Sequence, residues 1–417
     1  MRAPVFVAAS CGLFAFVAES ALAQGGAGAR GRQPTEAELR QQTQDSVIRM
    51  LVGGLELERY KATIRGLTQF GDRRAGTQRN RDAVDWIEAQ FRSYGCDEIG
   101  RIEFEMPPPR GGGGAGQRAG GVAPRPEPTY PRPGAGGKGL RGPTGVNNDP
   151  MRQPDARIRE LNMGPILPEP IHDVYCTKVG TTRPDEMYII GAHMDGIGYG
   201  QAANDDGSGT AIVMELARIL HQPGVETERT IRFVLWNMEE GGLVGSRAYV
   251  AQRRELQGIE SPAGSGRYPE PTWLGMIQHD MMMWDHGAPR ADGTVSPDQR
   301  PEADVNIEFA ANSAKAAESQ ALAWAFRDAN FRFATHYPAT VGNRMQSTDS
   351  VPFADYCPAI SLRENERNEH IGFGWDPNWH QPTDVFSTYD DEDFLLGLNA
   401  GQTTLAGVAR LAGVSIR

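Results

Sequence analysis

The chain is poor in the residues that usually announce a function. It has 4 cysteines and 8 histidines in 417 residues, and no cysteine pair stands at a metal-ligand spacing, which sets aside the thiolate zinc classes. It has no basic surplus: the formal net charge is −11, whereas nucleic-acid binders carry the opposite balance, so no nucleic-acid partner is expected. Beyond the first residues no apolar run is long enough to span a bilayer, which excludes stable membrane insertion by a helix. A G-x-S-x-G elbow and a P-loop are both absent, and Gly196-Ile197-Gly198-Tyr199-Gly200 breaks the dinucleotide-binding spacing. No internal repeat is found. What remains is an ordinary globular composition, 39% hydrophobic and 23% charged, with length for one large or two medium domains.

The first residues, MRAPVFVAASCGLFAFVAESALAQ, read as a secretory signal over 1–23. Arg2 supplies the positive start, an apolar stretch runs to Val17, and Ala21-Leu22-Ala23 offers a small-residue cleavage site before Gln24. The expected product is periplasmic or secreted. A retained anchor is disfavoured by Glu19, and lipid attachment at Cys11 by the missing leucine before it. Removal of Cys11 leaves Cys96, Cys176 and Cys357. Two readings stay open: one disulfide, with Cys96–Cys176 the first choice because both lie near strands, or three buried thiols.

Residues 24–44 are expected as a flexible leader before a single domain over 45–417. Apolar residues recur at helical spacing from Thr35 to about Phe70 and again over 76–94. A strand over Arg101–Phe104 is followed by a Gly/Pro-rich insertion at about 107–146 that cannot bury a core. From His172 strands alternate with helices. Strands are expected at Asp173–Lys178, Met187–Ala192, Thr230–Trp236, Trp273–Gln278 and Ala359–Leu362. Helices are expected at Ser208–Leu220, Leu243–Arg253, Ser313–Ala329 and Asp391–Leu411. This predicts an α/β fold, a mixed, mostly parallel central sheet flanked by helices on both faces.

Ligands bind beyond the carboxyl ends of strands in such sheets. One predicted strand ends in His193-Met194-Asp195, a second in Asn237-Met238-Glu239-Glu240 and a third in His279-Asp280. Asp205-Asp206 precede a helix at the same edge, and His380 to Asp384 form a late polar loop. Singly, each has an ordinary explanation: a satisfied histidine, a helix cap, a solvated pair, a turn. Together at one edge they predict a metal site. Imidazole and carboxylate donors suit zinc rather than calcium or magnesium. Two histidines and three carboxylates can hold two ions if one carboxylate bridges, leaving one glutamate of the pair as a base.

The motifs GAHMDG, ANDDGSG, EEGGLVGS, QHDM and HQPTD resemble those of the zinc aminopeptidase and glutamate carboxypeptidase family, the clan MH metallopeptidases. FGDRRAGTQRNRDAVDWIEAQF is similar to their N-terminal helical part. The resemblance implies a zinc exopeptidase (phosphorylase/hydrolase-like) fold and a secreted metallopeptidase using two Zn2+ ions, with Mn2+ or Co2+ as substitutes. It implies that His193 and Asp280 bind one ion, Glu240 and His380 the other, and that Asp205 bridges. It further implies Glu239 as general base and acid, Asp195 hydrogen-bonded to the His193 imidazole, and Asp384 orienting the His380 loop. Two departures stand out. Asp206 occupies the position beside the bridge and is a capping candidate, and Ser350 replaces the histidine that relatives carry before Val351-Pro352-Phe353.

The expected substrate is a peptide. Aminopeptidase activity is favoured over carboxypeptidase or another dizinc amidohydrolase, while the complete bridging set argues against a single-zinc cyclase and against a non-catalytic binding member. Arg344 and Arg363 are the cations that could read a substrate carboxylate, but both read as residues of later surface loops. Side-chain preference and oligomeric state are not encoded in any motif.

Overall fold

Sequence periodicity is converted here into layers whose order decides where the polar strand ends meet. The computed structural model describes residues 35–107, 145–287, 294–365 and 376–417. The expected signal and nearly all of the Gly/Pro-rich insertion lie outside the described residues. Met1–Gln41 and Gln42–Arg417 are separate units. In the first, Thr35 and Glu38 form a capping box. Glu38 N–H donates to Thr35 Oγ1 at 3.3 Å and Thr35 N–H to the Glu38 carboxylate at 2.6 Å. Helix α1 (Glu36–Gly53) therefore starts inside the stretch expected as leader. Gly53-Gly54 then ends it, and α2 (Leu57–Thr68) and α3 (Gln78–Tyr94) follow.

The chain next lays down β1 (Glu98–Phe104), α4 (Ala156–Asn162), β2 (Ile171–Lys178), β3 (Arg183–His193) and α5 (Gly207–Leu220). Then come β4 (Val225–Thr227), β5 (Arg229–Trp236), α6 (Val244–Arg253) and β6 (Thr272–His279). The last third holds β7 (Val305–Phe309), α7 (Ala316–Phe333), β8 (Ala339–Gly342), β9 (Ala359–Arg363), α8 (Asp391–Leu411) and β10 (Val414–Ile416). The main sheet has 8 strands in the order β1-β2-β5-β3-β6-β9-β7-β8. Its centre, β5-β3-β6-β9, is parallel throughout, and the antiparallel pairs lie outside that centre. The last strand, β10, pairs antiparallel with β4 in a small second sheet.

Both faces of the central strands are covered. Side chains of α2, α3, α5, α7 and α8 form one core against them, and Tyr249 and Val250 of α6, with Trp236, Trp273 and Phe353, form another. This double burial explains why β5 reads as an almost continuous apolar run. The exception is Arg232 in mid-strand, which is buried and ion-paired with Glu270 at 2.5 Å, while Tyr249 OH lies 2.7 Å from the same guanidinium. Cys96 and Cys176 form a disulfide that ties the end of α3 to β2, and Cys357 is a buried thiol.

Removing one partner of a buried ion pair strands the other charge. Glu270→Ala should therefore lower unfolding free energy by about 3–5 kcal/mol in chemical denaturation. A loss below about 1 kcal/mol would show that water or Tyr249 compensates Arg232.

Candidate metal centre

Strand register decides which side chains share the edge. His193 pairs with Trp236, and Ala192 with His279, so β3, β5 and β6 all end at one level. The polar residues at and after those ends are His193, Glu239-Glu240 and Asp280. Asp206 welds the edge together: its carboxylate accepts the N–H of Gly209 at 2.9 Å as N-cap of α5, that of His193 at 3.1 Å and that of Met281 at 3.1 Å. The cap inferred from sequence thus also fastens β3 to β6. His279 turns away. Its nitrogens meet Gly191 O at 3.2 Å and Thr404 Oγ1 at 2.8 Å, and burial lowers its pKa to about 4, the behaviour of a neutral core histidine.

Two donor triads meet at this edge, His193/Asp205/Asp280 and Asp205/Glu240/His380, each with one donor atom per residue and all three atoms within 4.8 Å of one another. Asp205 belongs to both. Its Oδ1 lies 3.2 Å from His193 Nε2 and its Oδ2 lies 2.9 Å from His380 Nε2. Glu240 Oε2 is also 2.9 Å from His380 Nε2. Burial alone would raise the Asp205 pKa, but the two imidazoles hold it well below the usual carboxylate range. Burial lifts Glu240 to about 7, and Asp205 adds to the rise while His380 opposes it. Burial lifts Glu239 as well, with repulsion from Glu240, Asp349 and Asp280 added and His193 opposing. Glu240 Oε1 and His380 Nδ1 are buried with no hydrogen-bond partner. A crowd of desolvated carboxylates sharing two imidazoles calls for further positive charge, and its nitrogen and oxygen donors fit zinc.

Asp195 acts differently from the sequence expectation. Its backbone carbonyl, 2.9 Å away, accepts the Nδ1–H of His193, while its carboxylate is 3.8 Å from that nitrogen. The Asp195 Oδ1 instead accepts the Glu239 N–H at 3.0 Å. Asp384 also serves a wider purpose than orienting its own loop. Its carboxylate accepts the N–H groups of Ala203, Asn204 and Asp205 at 2.9–3.2 Å and the Tyr389 hydroxyl at 2.9 Å, so it fixes the loop that carries Asp205.

Three further features were not assigned from sequence. Arg73 is fully buried, yet its guanidinium faces backbone carbonyls rather than a carboxylate: Met194, Gln201 and Ala202 at 2.8 Å and Gly71 at 3.1 Å. It pins the loops after His193 and before Asp205 to the N-terminal helices. Arg363 is no surface-loop residue. It ends β9, is 3% exposed and donates to Asp280 Oδ2 at 2.6 Å. Asp349 takes the Ser246 hydroxyl at 2.5 Å behind Glu239, and burial raises its pKa to about 7. The glycines after β3 were legible only as a failed nucleotide motif. A Cβ on Gly198, at φ +100°, would stand 2.4 Å from the His380 carbonyl, and one on Gly200 would stand 2.7 Å from the Gln381 and Asp384 carbonyl oxygens.

An open α/β sheet with histidine and carboxylate donors gathered at its carboxyl edge has the make-up of a metal-dependent enzyme. Residues 173–395 match the model of "Peptidase family M28", and the chain belongs to that family. Carboxypeptidase Q of Xenopus laevis is 35% identical over 107 residues, 25% of this chain and 23% of that protein. Aminopeptidase YwaD of Bacillus subtilis is 43% identical over 75 residues, 18% of this chain and 16% of that protein. The probable lipoprotein aminopeptidase LpqL of Mycobacterium tuberculosis is 27% identical over 251 residues, 57% and 44%. The matched region thus spans less than half of each of these relatives. Among solved structures, a zinc aminopeptidase from Bacillus subtilis superposes with TM-score 0.57 at 19% identity, covering 86% of this chain and 95% of that one. Glutaminyl cyclase of Porphyromonas gingivalis gives 0.51 at 16% identity, covering 85% and 98%. At these identities the likeness is one of fold.

The close approach at Gly198 predicts a localised effect. Gly198→Ala should cost about 1–3 kcal/mol of stability through backbone strain and displace the His380 loop, visible in the near-ultraviolet circular dichroism of the neighbouring Trp379. Gly53→Ala, where a Cβ meets nothing within 4 Å, should not destabilise the chain. Equal loss in both variants would show that the loop contact is not what constrains Gly198.

Proposed function

We propose that this chain is a secreted zinc exopeptidase, an aminopeptidase that hydrolyses peptides at a two-metal site. The observation that carries the reading is Asp205, whose two carboxylate oxygens each face a different imidazole, His193 Nε2 at 3.2 Å and His380 Nε2 at 2.9 Å. His193 and Asp280 would hold one ion, Glu240 and His380 the other, and Asp205 both. Zinc is the first choice from the donor set, with Mn2+ or Co2+ as substitutes. Bound there, it would supply Lewis acidity, bringing the pKa of water toward about 7 and polarising the scissile carbonyl.

The protein's own residues do the rest. Donation of the His193 Nδ1–H to the Asp195 carbonyl leaves Nε2 as the nitrogen with the lone pair. The Asp195 carboxylate holds the Glu239 backbone N–H, which sets where the Glu239 carboxylate projects. Glu239 takes a proton from the attacking water and passes it to the leaving amine, and its burial among carboxylates raises its affinity for that proton. The aminopeptidase reading is supported by the names of relatives such as YwaD and LpqL, and carboxypeptidase Q keeps the alternative in view. Export is supported by the leader sequence and the expected cleavage near Ala23–Gln24.

Glu239→Gln should lower turnover by about 10²–10⁴-fold while metal content, measured by plasma emission, stays at the wild-type level. Retained activity with lost metal would reverse the assignment of Glu239. A panel of aminoacyl, N-blocked and C-terminal substrates, run with and without a chelator, tests the rest. Cleavage of N-blocked peptides at their carboxyl ends would replace aminopeptidase by carboxypeptidase, and activity untouched by chelation would remove the metal site from the mechanism.

A further inference from the structure

Spacing in the sequence gives the cysteines no metal to bind, yet folding brings two of them beside a histidine. Cys96 follows α3, Cys176 lies in β2, and His221 caps the end of α5. The two Sγ atoms and a ring nitrogen of His221 all lie within 4.8 Å of one another. The imidazole is already oriented for coordination. Its Nδ1–H donates to the Ala217 carbonyl at 2.8 Å, which in the neutral ring leaves the lone pair on Nε2, 3.9 Å from Cys176 Sγ, with the Thr177 backbone also against the ring. Donation of one ring N–H to a carbonyl is how proteins hold metal-binding histidines. Burial lowers the His221 pKa, which keeps the ring neutral and able to bind a cation.

Tetrahedral zinc with sulfur and nitrogen ligands at their usual bond lengths sets S and N about 3.6 Å apart, close to the Cys176–His221 separation. The Cα atoms of Cys96 and Cys176 are 5.8 Å apart, near enough for both sulfurs to turn to one ion. A surface groove lined by Trp86, Tyr94, Arg218 and His221 opens beside the imidazole.

We propose that, once the Cys96–Cys176 disulfide is reduced, Cys96, Cys176 and His221 form a binding site for one thiophilic divalent ion of the zinc class, separate from the sheet-edge cluster. A dithiol reductant supplies the two electrons that break the S–S bond and becomes a disulfide itself. Its two protons pass to the cysteine sulfurs and leave to solvent as the thiolates take the ion. The metal-bound form replaces one cross-link between α3 and β2 by another, so the reduced chain stays folded.

The test uses the full-length protein, reduced anaerobically, freed of reductant and titrated with Co2+. Sulfur-to-cobalt charge transfer in the near ultraviolet separates this site from the sheet-edge cluster, which has only nitrogen and oxygen donors, and the oxidised protein, in which Cys357 is still a thiol, controls for the remaining sulfur. The expected result is a charge-transfer band that saturates at one ion per chain in the reduced protein and is missing from the oxidised protein and from Cys176→Ser. His221→Ala and the bulkier His221→Gln should each weaken Co2+ binding by about tenfold or more. The proposal is overturned if the reduced chain shows no such band, if the band is unchanged in both His221 variants, or if reduction unfolds the chain with Zn2+ present. None of these readouts depends on peptidase activity, so failure here would leave the proposed function standing.

Discussion

One carboxylate shared by two imidazoles sets the terms for everything around it. Asp205 faces His193 with one oxygen and His380 with the other, and both contacts are buried. A carboxylate placed so is worthwhile only if cations sit on either side of it, since desolvating a charge costs several kcal/mol, about what one buried pairing returns. Glu240, Asp280 and Glu239 increase the negative charge in the same volume. The edge of the sheet is thus electrostatically unfinished by its own residues, and the fold must hold these groups together against their mutual repulsion.

It does so with neutral donors, with Arg363 on Asp280 and with a second cation placed behind the cluster. Asp206 and Asp384 spend their oxygens on backbone N–H groups of the loops that carry the donors, so each fixes several chain segments at once. Arg73 works from the other side, drawing the Met194, Gln201 and Ala202 carbonyls to one buried guanidinium. Its charge also lies close to Asp384, Asp72, Asp206 and Asp195. A lysine could not span those carbonyls, because three donors on one nitrogen lack the planar fork of guanidinium. The glycines at 198 and 200 let the loop after β3 lie directly on the His380 loop. Positional precision is therefore divided between hydrogen bonds that hold and missing side chains that permit contact.

Much of this was legible in sequence, and the unread part has physical causes. Buried central strands advertise themselves as apolar runs, so β3, β5, β6 and β9 were found, and the donors at their ends with them. The strands β7 and β8 were not. In β7, Val305-Asn306-Ile307-Glu308-Phe309 alternates as a half-buried strand would, but all five residues are buried, and so short a run between polar loops stands out less than the apolar runs of the central strands. Arg73 and Arg363 were opaque for a related reason. A sequence shows a charge but not the carbonyls or carboxylate that will surround it, and an isolated arginine is usually exposed. Asp195 shows the limit within a motif: two residues after His193 is the right distance for help, but only the folded backbone decides whether side chain or carbonyl gives it.

The fate of Arg363 bears on which end of a peptide the site reads. A carboxypeptidase needs a cation whose charge is left for the substrate's terminal carboxylate, ideally a guanidinium with two parallel donors. Arg363 is at the site, but its Nη2 is committed to Asp280 at 2.6 Å and it also reaches the Ser347 carbonyl at 3.4 Å. Its charge is balanced by a residue proposed to hold a metal, so recruiting it to a substrate would loosen Asp280. That commitment, and not the negative charge that two bound ions would offset, is what tilts the proposed function toward aminopeptidase independently of any relative's name.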